Sequence, residues 1–211
     1  MNMPTRPSVP PPTLPCEAIT THPQFRRLSS IAGITVDLRY QSANNFVGRD
    51  LYSPLDCAWL HSIAAKALEA SVAWLKARGV ASVLVLDAMR PQRVQEQLWA
   101  GLQGTALLGY LANPERGSIH SFGMAIDVTL IDGDGDELDM GTPFDDLTEL
   151  SHPALEKQFL ADGKLTLTQI ENRQLLRDAM QHGGFVGISS EWWHFDCGDR
   201  DEVRATYTRI L

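Results

Sequence analysis

His120 and Asp127 stand seven positions apart in Ser118-Ile-His120-Ser-Phe-Gly123-Met-Ala125-Ile-Asp127. An extended strand would separate them by about 23 Å, at roughly 3.3 Å per residue. If both serve one centre, the chain must reverse between them. Gly123 is the residue that tolerates a sharp turn. His120 then ends one strand, and Asp127 lies on the next, facing back. On this segment alone the plainer reading also stands: a core histidine beside a strand-end aspartate.

A second segment, Glu191-Trp192-Trp193-His194, enlarges the set to two histidines, an aspartate and a glutamate. That is the inventory of a catalytic zinc site with its own base. Hydrolytic zinc takes three protein ligands and keeps one position open for water. A carboxylate outside the ligand set then handles the proton. Trp192, Trp193 and Phe195 would exclude water and raise the basicity of Glu191. Alone, the tetrapeptide equally describes a strand with an exposed glutamate and buried aromatics.

Arg90 falls in Asp87-Ala-Met-Arg90-Pro91, where a strand gives way to a helix. Such junctions often edge active sites, and a guanidinium there could stabilise an oxyanion. The alternative is a surface arginine paired with Asp87. Other chemistries find no support. H-E-x-x-H and G-x-S-x-G are both absent. Asp132, Asp134 and Asp136 imitate a calcium loop, but Glu137 and Pro143 occupy its glycine and glutamate positions, so a hairpin turn is expected. His22, His61, His152 and His182 lack ligand spacing.

The 211 residues suit one domain with a sizeable core. Eighteen Lys and Arg against 26 Asp and Glu leave a net charge of −8, which argues against nucleic acid or an anionic membrane as partner. No apolar run reaches the roughly 18 residues of a membrane span. The N-terminus has no apolar signal core, so a cytoplasmic chain is expected, or a periplasmic one if a leader has been removed. Cys16, Cys57 and Cys197 are odd in number and scattered in sequence, which suits free thiols. Cys197, close to His194, reads as a small core residue.

Residues 1–24 are rich in Pro and Thr and read as an extended or disordered arm, with residues 25–211 as the domain. Alternation predicts a strand over Ile34–Tyr40, and an apolar run predicts a buried strand over Val80–Asp87. A helical stripe runs from about Leu55 to Ala77, closed by Gly79. Pro91 starts another helix, to about Leu98. The region 118–131 reads as two strand segments around Gly123. Thr168-Gln-Ile-Glu171 matches a capping box opening a helix that ends at Gly183-Gly184. A last helix is expected over Asp201–Ile210. Strands and helices without regular alternation imply an α+β domain.

The segments S-x-H-x-x-G-x-A-x-D and E-W-W-H together resemble the D-alanyl-D-alanine dipeptidases of the VanX type, within the zinc D,D-peptidases that share a fold with the hedgehog signalling domain. The likeness takes in Asp37-Leu-Arg-Tyr40, Asn45-Phe46-Val-Gly48, Asp87-Ala-Met-Arg90-Pro91, Asp139-Met-Gly141-Thr-Pro-Phe144-Asp145, and Asn172-Arg173 leading to Gly184-Phe185. It implies a central, mostly antiparallel sheet flanked by helices. It implies one zinc held by His120, Asp127 and His194, with Glu191 as general base and acid and Arg90 stabilising the tetrahedral intermediate. Asp145 would hold the substrate ammonium, and Ser118 and Tyr40 would line the dipeptide pocket. Phe122 and Met124 stand where the family often has polar or small residues. The reaction implied is hydrolysis of D-Ala-D-Ala to two D-alanines. A D,D-carboxypeptidase or endopeptidase acting on peptidoglycan stems is the nearest alternative, and a non-catalytic hedgehog-like zinc module the more distant one. The oligomeric state is left open.

Overall fold

Every residue of Ala125–Ile131 is buried, as expected of a strand at the centre of a sheet with both faces covered. The computed structural model describes residues 10–79 and 82–211. Along the chain come β1 (Thr13–Leu14), β2 (Phe25–Arg27), β3 (Ile34–Val36), β4 (Trp59–His61), α1 (Ser62–Lys76), β5 (Ser82–Asp87) and α2 (Gln92–Gly101). Then follow β6 (Ala125–Ile131), α3 (Glu156–Ala161), α4 (Leu167–Gly183), β7 (Phe185–Gly187), β8 (His194–Cys197), α5 (Arg200–Thr206) and β9 (Arg209–Ile210).

Five strands form the main sheet in the order β3-β5-β6-β8-β7. Only β3 and β5 run parallel; the other pairs are antiparallel. This is the α+β architecture expected, with its mostly antiparallel sheet. Helices α1 and α4 pack on each other and on the sheet. The buried stripe of α1, Ala64, Ala65, Leu68, Val72 and Leu75, follows the helical period. Gly183 lets the helices approach closely: a Cβ there would lie 2.3 Å from the Ala67 carbonyl oxygen.

Several expectations shift. The helix predicted from Leu55 begins only at Ser62. Trp59–His61 instead pairs antiparallel with Phe25–Arg27, and the His61 side chain accepts from the Ile63 N–H as helix cap. The strand predicted over Ile34–Tyr40 stops at Val36, and Arg39–Gln41 form a 3-10 turn. The capping box sits two residues early, with Thr166 and Gln169 as its partners, so that Leu165 is buried against the helix start. The last helix ends at Thr206.

The described part of the N-terminal arm is docked on the domain. Residues 13 and 14 pair in parallel with Arg209 and Ile210, and the 3-10 turn Cys16–Thr21 buries Cys16 and Ile19. Composition spoke against an α-helix there, but apolar side chains and a free strand edge dock the segment. Residues 1–9 of the arm, and Val80 and Ala81 of a predicted strand, lie outside the described residues. Cys16, Cys57 and Cys197 are buried free thiols. Among the described residues no helix is long and apolar enough to cross a membrane.

Candidate active site

Asp127 lies on β6 with Asp87 directly across on β5 and His194 directly across on β8. Three neighbouring strands thus place three functional side chains in one row. Cross-strand neighbours of this kind stand about 4.5–5.5 Å apart. A register shift between Val85 and Asp87 brings Asp87 into that row. Along β6, alternation sends Ile126 and Val128 to the face opposite Asp127.

His120 reaches the row from outside the sheet. It lies in the 3-10 turn Ile119–Phe122, not at a strand end as expected. The reversal does occur at Gly123, with φ at 64°. Only glycine fits there, since a Cβ would lie 2.8 Å from the His61 backbone nitrogen.

The three predicted ligands converge, each offering one ligand atom, and these lie within 4.8 Å of one another. His120 Nε2 is 3.1 Å from His194 Nδ1, Asp127 Oδ1 is 2.9 Å from His194 Nδ1, and His120 Nε2 is 3.3 Å from Asp127 Oδ1. A tetrahedral zinc with bonds of about 2.0–2.1 Å needs ligand atoms roughly 3.3 Å apart, so the triangle is of the right size. The outer ring nitrogens are also engaged. His120 Nδ1 lies 2.7 Å from the Ala88 carbonyl, and His194 Nε2 lies 3.0 Å from Asp196. Such partners fix which nitrogen faces a metal. This group can hold one metal ion.

Electrostatics agree with that use. Burial pushes the Asp127 carboxyl up, but His120 and His194 beside it hold it well below the carboxylate range. Burial pushes His194 down, yet Asp196 and Asp127 raise it well above an ordinary histidine.

Arg90 is 6% exposed and no surface residue. Its Nε and one terminal nitrogen donate to Asp87 at 2.9 and 2.6 Å, and the other terminal nitrogen donates to Gln95 at 3.1 Å. Three of about five N–H donors are so occupied, and two have no hydrogen-bond partner among the described residues. The guanidinium also stands 3.6 Å from Asp127 and lies over the Tyr40 ring. The pairing with Asp87 and the placement at the site are therefore both real. Tyr52 donates to the other Asp87 oxygen.

Glu191 lines the same cleft, and its carboxyl is pushed up to about 7. Burial is the main cause, and Asp127 adds to it against the pull of His194 and Arg90. Tyr40 donates to Asp145 Oδ1 at 3.1 Å. The other Asp145 oxygen is buried with no hydrogen-bond partner among the described residues. Burial, then the Asp127 charge, holds this carboxyl well above its usual range. Ser118 is buried just before the His120 turn.

All eight predicted residues, Tyr40, Arg90, Ser118, His120, Asp127, Asp145, Glu191 and His194, line one cleft of about 370 Å³. Phe122 and Met124 are buried and do not line it. Gln95 and Asp196 were missed, and Asp87 was named only as the partner of a surface Arg90. Asp196 had a signal: two residues beyond His194 in a strand, it shares the same face.

Comparison with known proteins places the chain. The family model described as D-ala-D-ala dipeptidase, peptidase M15, matches residues 24–210. The chain belongs to this peptidase family. It is similar to the D-alanyl-D-alanine dipeptidase of Escherichia coli (strain K12), 38% identical over 170 residues, 77% of this chain and 78% of that protein. It is 31% identical to the D-alanyl-D-alanine dipeptidase of Enterococcus faecium over 189 residues, 78% of this chain and 86% of that protein. A solved LdcB LD-carboxypeptidase aligns over 86% of this chain and 71% of that chain, at 15% identity and a TM-score of 0.49.

Proposed function

We propose that this M15 peptidase is a zinc-dependent dipeptidase that hydrolyses D-Ala-D-Ala to two D-alanines. The observation that carries the proposal is the meeting of His120, Asp127 and His194 with Glu191, Arg90 and Asp145 in one cleft. Family membership supplies the substrate class. One zinc per chain would be held by His120, Asp127 and His194. When bound, it supplies Lewis acidity and a water acidified to a pKa of about 7.

The chain's own residues do the rest. Glu191 accepts the proton of the attacking water and returns it to the leaving amine. A carboxyl with a pKa near 7 can do both at neutral pH. Arg90 turns its free N–H donors to the oxyanion, and Asp87 and Gln95 keep it from turning away. Asp145 offers its unpartnered oxygen to the substrate ammonium, with Tyr40 fixing the carboxyl. An ammonium brings the positive charge that this buried group lacks. Ser118 and Tyr40 bound the pocket. A non-catalytic zinc module would have no use for Glu191 or Arg90 in this position.

The test compares D-Ala-D-Ala with a pentapeptide ending in D-Ala-D-Ala. An ammonium contact of this type is worth roughly 10- to 200-fold in kcat/KM. The dipeptide is therefore cleaved faster by at least about tenfold. Equal cleavage of the pentapeptide replaces the dipeptidase reading with a carboxypeptidase one.

A further inference from the structure

Asp145 lies midway along the loop between Asp139 and Ser151, with φ at 63°. Among the described residues it is the one non-glycine with positive φ. An aspartate tolerates that conformation at some cost, and it persists only where the surroundings hold it.

Tyr40 holds the Asp145 side chain, and the two ends of the loop rest on one face of α4. Arg173, fully buried, donates from Nε to the Met140 carbonyl at 2.7 Å. Its two terminal nitrogens donate to the Leu150 carbonyl, both at 3.1 Å. One guanidinium thus grips the loop at both ends. Asn172 donates to the Asp139 carbonyl at 2.8 Å, and Gln169 to the Asp139 carboxylate at 2.9 Å. Glu156 lies 3.5 Å from Arg173 but is paired more closely with Arg177, at 2.8 and 2.9 Å. A planar fork can bridge two carbonyls at once, which a lysine ammonium on one flexible stem cannot do with the same geometry.

We infer that Arg173, supported by Asn172, is a positioning residue for the ammonium subsite: it holds the loop so that Asp145 points into the cleft. Arg173 itself touches no substrate. The inference rests on the function proposed above and on Asp145 as the ammonium partner.

The experiment measures KM and kcat for D-Ala-D-Ala in Arg173→Lys, Asn172→Ala, Asp145→Ala and the Asp145→Ala double variants, with zinc content as control. Arg173→Lys raises KM about tenfold, with kcat within about threefold and zinc retained. Asn172→Ala moves KM in the same direction by about two- to threefold. In the Asp145→Ala background neither substitution moves KM by more than about twofold, because the group they position is gone. A general weakening of the fold would lower activity equally in both backgrounds. If Arg173→Lys does not fold, Asn172→Ala, at a half-buried position, carries the comparison. An unchanged KM in the single variants, or the same KM increase with and without Asp145, overturns the inference while D-Ala-D-Ala hydrolysis by the wild type leaves the function standing. A wild type inactive on D-Ala-D-Ala removes the function and the inference with it.

Discussion

Asp196 lies 3.0 Å from His194 Nε2, on the side of the ring opposite Asp127 and His120. Arg200 holds the other Asp196 oxygen at 2.6 Å. The imidazole is therefore fixed with Nδ1 toward the ligand cluster. Such outer partners orient a ligand and raise its basicity.

Asp196→Asn weakens this hold without emptying the space. Zinc affinity, read by competition with a chelator, falls about 10- to 100-fold. The unchanged fold is checked by thermal melting of the metal-free protein. Wild-type affinity in this variant removes Asp196 from any role at the metal.

Glu191 gives a pH prediction. Only its carboxylate form accepts a proton. Since burial lifts the carboxyl to about 7, activity rises as pH climbs toward that value and levels off above it. A cation bound beside it pulls the limb to lower pH, never higher. Glu191→Gln keeps its zinc, loses about 10²-fold or more in kcat, and loses this acid limb. An intact limb in the variant shows that another group titrates.

Arg90→Ala is a poor probe. It strands Asp87, 0% exposed, without its cation, and breaking a buried pair costs about 3–5 kcal/mol. Arg90→Lys keeps the charge but not the fork. It lowers kcat by about 10²-fold with zinc retained and KM changed far less, as befits a contact made in the transition state. A raised KM with kcat intact assigns Arg90 to substrate binding instead.

The His120–Gly123–Asp127 reversal was legible because chain length forbids any extended path between the ligands. The row of Asp87, Asp127 and His194 was not, because register across β5, β6 and β8 depends on a bulge that no local pattern announces. The strand Trp59–His61 was hidden inside an apolar period that continues smoothly into α1. Docking of the Pro-rich segment depends on β9, nearly two hundred residues away. Arg173 stood out only through the Asn172-Arg173 likeness, and its burial depends on the loop wrapped over it, which no local pattern announces.

The most direct measurement titrates zinc into metal-free protein and follows release of D-alanine from D-Ala-D-Ala. Release grows in proportion to added zinc up to one equivalent per chain and then stays level. Release by the metal-free protein, or release that keeps climbing to a second equivalent, contradicts a single zinc held by His120, Asp127 and His194.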